Sequence, residues 1–453
     1  MSKLISVLGA GESGVGAALL AKAKGFDVFV SDKGQIGQKY KDVLVRNNVT
    51  FEEGKHSEST ILSSEIVIKS PGISDKVDIV KKLEAAGVKV ISEIEFASKY
   101  TSAKFIAITG SNGKTTTTLL TYHILKTLGL NVGLAGNVGE SLAKQVIENK
   151  FDLYVLELSS FQLDGMFDFK ADIAILLNIT PDHLDRYDYD FKKYINAKFR
   201  ILQNMKSDDI FITFVDDPVL KEELSYRDIK PFLLSVSLEE KVINGAYMSD
   251  QNIIVNFNNV VSKFYTLESL QIPLQGKHNM INAMSAILVA SALNQDENKI
   301  ISSLSGFKNA PNRLEPVLEI NGVAFINDSK ATNVDSVWYA LDSMKKPVVL
   351  IMGGQDKGND YTKIVSLVKK KVKAIICLGI DNSKIVEAFG QHLKVVETNQ
   401  IKTAVRSAYE AAAPGDIVLL SPACASFDLF RNYEDRGEQF KLEVKNLSDS
   451  IKI

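Results

Sequence analysis

Ile106-Ala107-Ile108-Thr109-Gly110-Ser111-Asn112-Gly113-Lys114-Thr115-Thr116 decides how the rest of the chain is read. The apolar run Phe105 to Ile108 reads as a buried strand. It breaks at a Gly/Ser/Asn turn, and a helix is expected from about Thr116 to Leu128, stopping before Gly129. Strand, glycine loop, Lys-Thr and helix form the layout of a phosphate-binding loop. Gly110 and Gly113 let backbone N–H groups converge on phosphate oxygens, and the helix start adds partial positive charge. Lys114 can reach terminal phosphates, and the Thr115 hydroxyl can ligate Mg²⁺. Ser111, Asn112 and Thr116 complete the loop. The common pattern has a glycine five residues before the second; here that position is Ile108, so the loop is a shortened variant. The competing reading is a glycine-rich strand-to-helix turn without a ligand.

A chain of 453 residues suggests two to four domains. With 45% hydrophobic and 24% charged residues it has the balance of a globular protein. A net charge of −2 gives no electrostatic case for nucleic acid or an anionic membrane. Two cysteines, Cys377 and Cys424, make neither a disulfide framework nor a zinc site and fit a reducing cytosol. The N-terminal apolar run is too short for a signal peptide, and no stretch reaches the ~20 apolar residues of a membrane span.

Upstream of the loop, Leu4 to Leu8 reads as a strand followed by Gly9-Ala10-Gly11-Glu12-Ser13-Gly14, a helix to Lys24, and a strand ending at Asp32. This is close to a dinucleotide-binding fingerprint, which alone argues for an NAD-dependent oxidoreductase. The same N–H groups could hold the diphosphate of another nucleotide. Ser70-Pro71-Gly72-Ile73 is expected at the C-terminal edge of a further strand, where ligands sit in open parallel sheets. A first domain is closed near residue 95.

Downstream, Gly136-Asn137-Val138-Gly139 follows a short strand, and Asp152 to Leu158 is an apolar strand carrying Glu157. An acid there is costly without a partner, and a cation or a core salt bridge would supply one. Ala171 to Ile179 reads as a strand leading into Asn178-Ile179-Thr180-Pro181-Asp182-His183-Leu184-Asp185. His183 alone would be structural; beside a phosphate loop and a strand acid it is a candidate metal ligand. Lys198, on a helix from Phe191 to Leu202, reads by itself as a solvated surface lysine. Gly276-Lys277-His278-Asn279 caps a long apolar helix, Met280 to Leu293, with Asn282 in its first turn. Asn321-Gly322 signals a hairpin. Buried strands at Val348–Met352, Ala374–Leu378 and Ile417–Leu420 alternate with helices, indicating a further three-layer α/β unit.

Polar loops at the strand ends of three α/β units point to one site shared between domains. Four stretches carry a resemblance: Thr109 to Thr116, Gly136 to Gly139, Glu157-Leu158-Ser159-Ser160-Phe161-Gln162-Leu163, and Asn178 to Arg186. They resemble the Mur ligase family. Asn327-Asp328-Ser329-Lys330-Ala331-Thr332-Asn333 and Leu420-Ser421-Pro422-Ala423-Cys424-Ala425-Ser426-Phe427-Asp428 are similar to its D-glutamate-adding branch.

The resemblance implies an α/β protein of three domains. These are an N-terminal Rossmann-like domain for UDP (1–95), a central P-loop ATPase-like mononucleotide-binding domain for ATP (96–310), and a C-terminal Rossmann-like domain (311–453). The last would bind D-glutamate and close over ATP. It implies peptidoglycan precursor synthesis by a monomeric cytoplasmic ligase without membrane insertion. ATP would phosphorylate the alanyl carboxylate of UDP-N-acetylmuramoyl-L-alanine, and the amine of D-glutamate would attack the acyl phosphate. Residue by residue, it assigns Lys114 and Thr115 to the ATP phosphates, with Thr115 and Glu157 near one Mg²⁺. His183 and Lys198 match ligands of a second Mg²⁺, Lys198 as a CO₂-derived carbamate. Asn279, Asn282, Arg313 and Asp328 match the nucleotide side. Gly11, Glu12, Ser13, Asp32, Lys33, Gly72, Asn137, Ser159 and His183 match the UDP-substrate side. Lys330, Thr332, Lys357, Ser426 and Tyr433 match the D-glutamate pocket.

Two positions depart from the family: Asn312 stands where a histidine often precedes Arg313, and Asp32-Lys33-Gly34 lacks an arginine seen in some relatives. The alternatives are a sibling Mur ligase, a folylpolyglutamate-synthase-like ligase, or a non-enzymatic nucleotide sensor. The last should lack Lys114, Glu157, His183 or Lys198.

Overall fold

A computed structural model describes residues 3–257, 260–266 and 276–451. Its strands fall into three sheets. The first contains β1 (Leu4–Leu8), β2 (Asp27–Asp32), β3 (Thr50–Glu53), β4 (Ile66–Lys69) and β5 (Lys89–Ile91), all parallel, in the order β3-β2-β1-β4-β5. The second contains β6 (Lys104–Thr109), β7 (Val132–Gly136), β8 (Leu153–Glu157), β9 (Ile173–Leu176), β10 (Ile210–Phe214), β11 (Phe232–Ser237), β12 (Gly245–Ser249), β13 (Asn252–Phe257) and β14 (Val260–Thr266). Its order is β14-β13-β12-β11-β10-β9-β6-β8-β7, parallel from β7 to β12 and antiparallel beyond. The third contains β15 (Glu315–Ile320), β16 (Val323–Asn327), β17 (Val348–Gly353), β18 (Val372–Leu378), β19 (Lys394–Thr398) and β20 (Ile417–Ala423), ordered β15-β16-β20-β17-β18-β19.

The chain divides into two compact units. Met1–Ile272 with Ile281–Phe307 carries the first two sheets, and Pro273–Met280 with Lys308–Ile453 carries the third. Thus Asn282 belongs to the first unit and Asn279 to the second.

Continuous apolar runs make the central strands. Val348 to Met352 are all fully buried, because helices cover both faces of a parallel sheet. Asn321 (φ 47°) and Gly322 (φ 80°) join β15 to β16, and positive φ at both positions is what a type I′ hairpin requires. A turn at Asp250, which has φ 54°, joins β12 to β13.

Several boundaries differ from the sequence reading. The helix after the phosphate loop starts at Lys114, because Gly113 is its N-cap. The strand expected to reach Ile179 ends at Leu176, where the chain turns to bond the phosphate loop. The long apolar helix starts at Lys277 rather than Met280.

Candidate active site

The phosphate loop is shaped by its glycines and held by its neighbours. Gly110 (φ 154°) and Gly113 (φ 85°) sit where side chains are disfavoured. A Cβ on Gly113 would lie 2.6 Å from Asn282 Oδ1. That oxygen accepts from the Thr117 hydroxyl at 3.0 Å. Asn178 clamps the loop: Asn112 N–H donates to its Oδ1 (2.8 Å), its Nδ2 donates to Asn112 O (3.0 Å), and Ser111 N–H donates to its carbonyl (2.9 Å). The Ser111 hydroxyl donates to Thr180 O at 2.9 Å.

Two lysines converge on one carbonyl. Lys114 Nζ and Lys198 Nζ each donate to Gly110 O at 2.8 Å. Lys198 is only 1% exposed, so the solvated-surface reading is corrected. Its ammonium lies 4.7 Å from the Tyr194 ring centroid. Burial, then the charge of Lys114, hold its amine well below the ordinary lysine range. Thr115 and Thr116 are buried at the start of the helix.

Glu157 ends β8 in register with Ile108 of β6, at the sheet edge from which the phosphate loop departs. It is 1% exposed, and Oε1 accepts from Asn137 Nδ2 at 2.9 Å. Asn137 N–H donates to Glu157 O at 2.8 Å, so the Gly136–Gly139 turn and the strand acid form one assembly. The Ser159 hydroxyl is committed to a capping box with Gln162 at the start of helix Ser160–Asp164.

His183 has φ 52° and caps the short helix Leu184–Tyr187. Its Nε2 lies 3.6 Å from Asp182 Oδ2, and its ring meets Phe161 edge-on at 5.2 Å. This loop is tied to the first sheet: Arg186 donates to Gly72 O (3.4 Å) and Ile73 O (3.3 Å), and Lys76 donates to Asp185 O (3.0 Å).

In the N-terminal loop, Asp32 accepts from Ala10 N–H and Gly34 N–H, both at 2.8 Å. Gly14 is required by close packing, since a Cβ there would stand 1.9 Å from Gly9 O. Gly11 and Gly72 differ, because a Cβ on either meets nothing within 4 Å. Glycine at these two positions leaves open backbone, which suits a ligand lying against it. Gly11 caps helix Glu12–Ala23, with Glu12 and Ser13 in its first turn, and Lys33 is exposed.

In the second unit Asp328 follows β16 and is 5% exposed. It accepts from Ser421 Oγ (2.9 Å) and Leu314 N–H (3.2 Å). Burial pushes its carboxyl up to about 7 against the opposing pull of Arg313. Arg436, 1% exposed, donates to Ser329 Oγ, Ser329 O and Cys424 O, while Ser329 Oγ donates to Tyr433 O. This brings the loops bearing Lys330, Thr332, Ser426 and Tyr433 together, and Lys330 Nζ lies 5.4 Å from the Tyr433 ring centroid. Lys357 is exposed on a turn held by Asp356, which accepts from Gly358 N–H at 2.7 Å and Asn359 N–H at 3.2 Å. Asn312 is buried, and its Oδ1 accepts from Asn327 Nδ2 at 2.8 Å, a packing role in place of a histidine. Asn279 is buried in this unit.

Sequence reasoning gave no role to Asn178, Arg186, Tyr194 or Arg436. Asn178 and Arg186 lay inside a quoted motif, and Arg436 follows Tyr433 by three positions, which is one helical turn.

The Thr115 hydroxyl and the Glu157 carboxylate are hard oxygen donors that suit Mg²⁺. Among the described residues no group of three or more His, Cys, Asp or Glu is set to hold a metal. Mg²⁺ is commonly held by one or two protein oxygens together with substrate phosphates, so this donor set fits it. Lys198 as an amine does not fit and becomes an oxygen donor only when carbamylated. Among the described residues no helix is long and apolar enough to cross a membrane.

Three family models match in chain order: the MurD N-terminal domain over residues 4–79, the Mur ligase middle domain over 108–290, and the Mur ligase glutamate ligase domain over 312–424. A Cytophaga hutchinsonii protein named UDP-N-acetylmuramoylalanine--D-glutamate ligase is 54% identical over 451 residues, covering 99% of this chain and all of that one. Its Bacteroides fragilis namesake is 53% identical over 448 residues, covering 98% of this chain and all of that one. Among solved structures, UDP-N-acetylmuramate-alanine ligase MurC from Thermotoga maritima superposes with a TM-score of 0.62 at 18% identity, covering 98% and 100% of the two chains. That likeness carries the fold alone, whereas whole-length identity above one half carries more: the chain belongs to the Mur ligase family.

Proposed function

We propose that this chain is an ATP-dependent amide ligase that joins D-glutamate to UDP-N-acetylmuramoyl-L-alanine in peptidoglycan precursor synthesis, releasing ADP and phosphate. The observation that carries the reading is the assembly around Gly110. There Lys114 and the buried Lys198 meet on the Gly110 carbonyl of a phosphate-binding loop, and Glu157 ends the strand paired with the one that leads into it. The names borne by whole-length relatives supply the substrates.

A carboxylate attacking ATP is repelled by the phosphates. Lys114 offsets that charge and orients the terminal phosphate, and the loop N–H groups from Gly110 to Thr116 hold the rest. Thr115 and Glu157 would hold one Mg²⁺, and His183 with carbamylated Lys198 a second, and these ions would supply further charge neutralisation. Burial shifts Lys198 toward the neutral amine, the form that adds CO₂, and this direction supports the carbamate. The acyl phosphate then meets the amine of D-glutamate, and oxyanion charge developing in the tetrahedral intermediate calls for fixed positive groups nearby.

On the amino acid side, Lys357 suits the side-chain carboxylate, with Lys330, Thr332, Ser426 and the Tyr433 backbone as further contacts. Asn279, Asn282, Arg313 and Asp328 are assigned to the nucleotide. Gly11, Glu12, Ser13, Asp32, Lys33, Gly72, Asn137, Ser159 and His183 are assigned to the UDP-sugar. The protein is proposed to act as a monomer in the cytoplasm.

The test is phosphate release from ATP with Mg²⁺ and UDP-N-acetylmuramoyl-L-alanine, offering D-glutamate, L-glutamate, L-alanine and a diamino acid in parallel. Turnover with D-glutamate alone is expected. Turnover with another amino acid in its place would overturn the reading of the third-sheet loops.

A further inference from the structure

We infer that Asn359 is a positioning residue for D-glutamate that acts through Lys357. The inference rests on the reading that Lys357 meets the side-chain carboxylate of D-glutamate. Lys357 lies on the turn after β17, two residues after Gln355 and two before Asn359. That turn is fastened on both sides of Lys357 to the loop after β20, which carries Ser426. On one side the fastening is backbone: Gln355 N–H donates to Ala425 O at 2.8 Å, and Ala425 N–H donates to Gln355 O at 3.2 Å. On the other side it is a half-buried side chain. Asn359 Nδ2 donates to Ala423 O at 3.0 Å, and it reaches the Tyr361 hydroxyl at 3.2 Å and Cys424 Sγ at 3.4 Å.

The shape of the turn and its placement have different causes. Asp356 sets the shape: its Oδ1 accepts from Gly358 N–H (2.7 Å), Asn359 N–H (3.2 Å) and Lys384 Nζ (2.8 Å), and its Oδ2 accepts from the Tyr361 hydroxyl (3.0 Å). The Asn359 carboxamide sets the placement, because its acceptor is itself held. Ala423 is fully buried at φ 62°, a left-handed conformation that alanine rarely adopts. Its N–H donates to Ala331 O at 2.9 Å, between Lys330 and Thr332. The loops that carry Lys330, Thr332, Lys357 and Ser426 therefore meet on one residue, which bonds on both sides keep in a strained state.

Removing the carboxamide leaves the bonds of Asp356, and with them the shape of the turn, but releases that side of the turn from Ala423. A lysine on a turn free to shift must be ordered anew by each substrate, which lowers affinity. The loss falls on the ligand of Lys357, the amino acid.

Steady-state turnover is measured for wild type, Asn359→Ala, Lys357→Ala and the double variant, varying D-glutamate, ATP and UDP-N-acetylmuramoyl-L-alanine in turn. Asn359→Ala is expected to raise the D-glutamate KM about five- to tenfold, the effect of losing one hydrogen bond. The other two KM values, kcat and the thermal midpoint should stay close to wild type. A merely structural role would instead lower kcat and the midpoint and disturb all three KM values. In the Lys357→Ala background, Asn359→Ala should change kcat/KM for D-glutamate less than twofold, since its route to the substrate is already cut. Asn359→Leu keeps the bulk and loses the donors; it should match Asn359→Ala and replaces it if that variant does not fold. A D-glutamate KM within twofold of wild type in a folded Asn359 variant, or equal losses in both backgrounds, overturns the proposal alone. If Lys357→Ala itself leaves kcat/KM for D-glutamate unchanged, the reading of Lys357 fails and the proposal falls with it.

Discussion

Gly113→Ala tests whether the loop geometry is what holds the nucleotide. Gly113 has φ +85°, a conformation that costs an L-residue about 1–2 kcal/mol. Its new Cβ would stand 2.6 Å from Asn282 Oδ1 and 3.2 Å from a Leu177 methyl, so Asn282 must withdraw. Withdrawal breaks the Thr117–Asn282 hydrogen bond, worth about 1 kcal/mol net. Together these displace the loop by about 2–3 kcal/mol, or about 30- to 140-fold in nucleotide affinity. Gly129 is the internal control, because it follows the same helix at φ +86° but a Cβ there meets nothing within 4 Å. Gly129→Ala should therefore lower thermal stability by about the backbone term alone and leave ATP affinity unchanged. ATP binding is measured by calorimetry on both variants, with circular dichroism to establish folding. ATP affinity of folded Gly113→Ala within threefold of wild type, or equal losses in the two variants, would refute the argument.

Lys198→Ala should be nearly inactive while still folded, with short carboxylic acids restoring part of the turnover by standing in for the carbamate; no rescue by any carboxylate would count against the modified lysine. Glu93 is a buried carboxylate accepting from Ser141 Oγ (2.7 Å) and Ala143 N–H (2.6 Å), and desolvation pushes it up from its ordinary 4.5 to about 7. Because the folded value is raised, its contribution is complete below pH 4.5 and lost as pH rises through 7, about 3 kcal/mol in all. Glu93→Gln should therefore gain on wild type in urea unfolding of the first unit between pH 5 and pH 8, and a loss over that interval would show the sign to be wrong.

The fold was legible where one physical signal dominated. Val348 to Met352 and Phe105 to Ile108 are runs that only a doubly covered sheet can bury, and they are strands. The Asn321-Gly322 turn was readable because positive φ at two successive positions restricts residue choice. The strands β3, β11 and β19 were not anticipated. Thr50-Phe51-Glu52-Glu53 and Lys394-Val395-Val396-Glu397-Thr398 lie at sheet edges, half in solvent, where charged residues interrupt the apolar pattern. Phe232 to Ser237 lies inside its sheet but alternates only weakly.

The site divides along a different line. The groups proposed to meet a ligand, Lys114, Thr115, Glu157 and His183, stand in short local motifs and could be nominated from spacing. The groups that hold them could not. Ala197-Lys198-Phe199 reads locally as an exposed lysine on an amphipathic helix, yet the side chain is buried because β6 ends 88 residues earlier with the Gly110 carbonyl aimed at it. Asn178 and Arg436 likewise bond partners 66 and 107 positions away. These supports depend on which strand ends become neighbours, so they become visible only after the sheet order is known. Motif spacing records what meets the ligand, and topology decides whether those groups are held in place. Long-range polar residues such as Asn178 and Arg436 are therefore where substitutions in this chain should cost activity without any assigned role having warned of it.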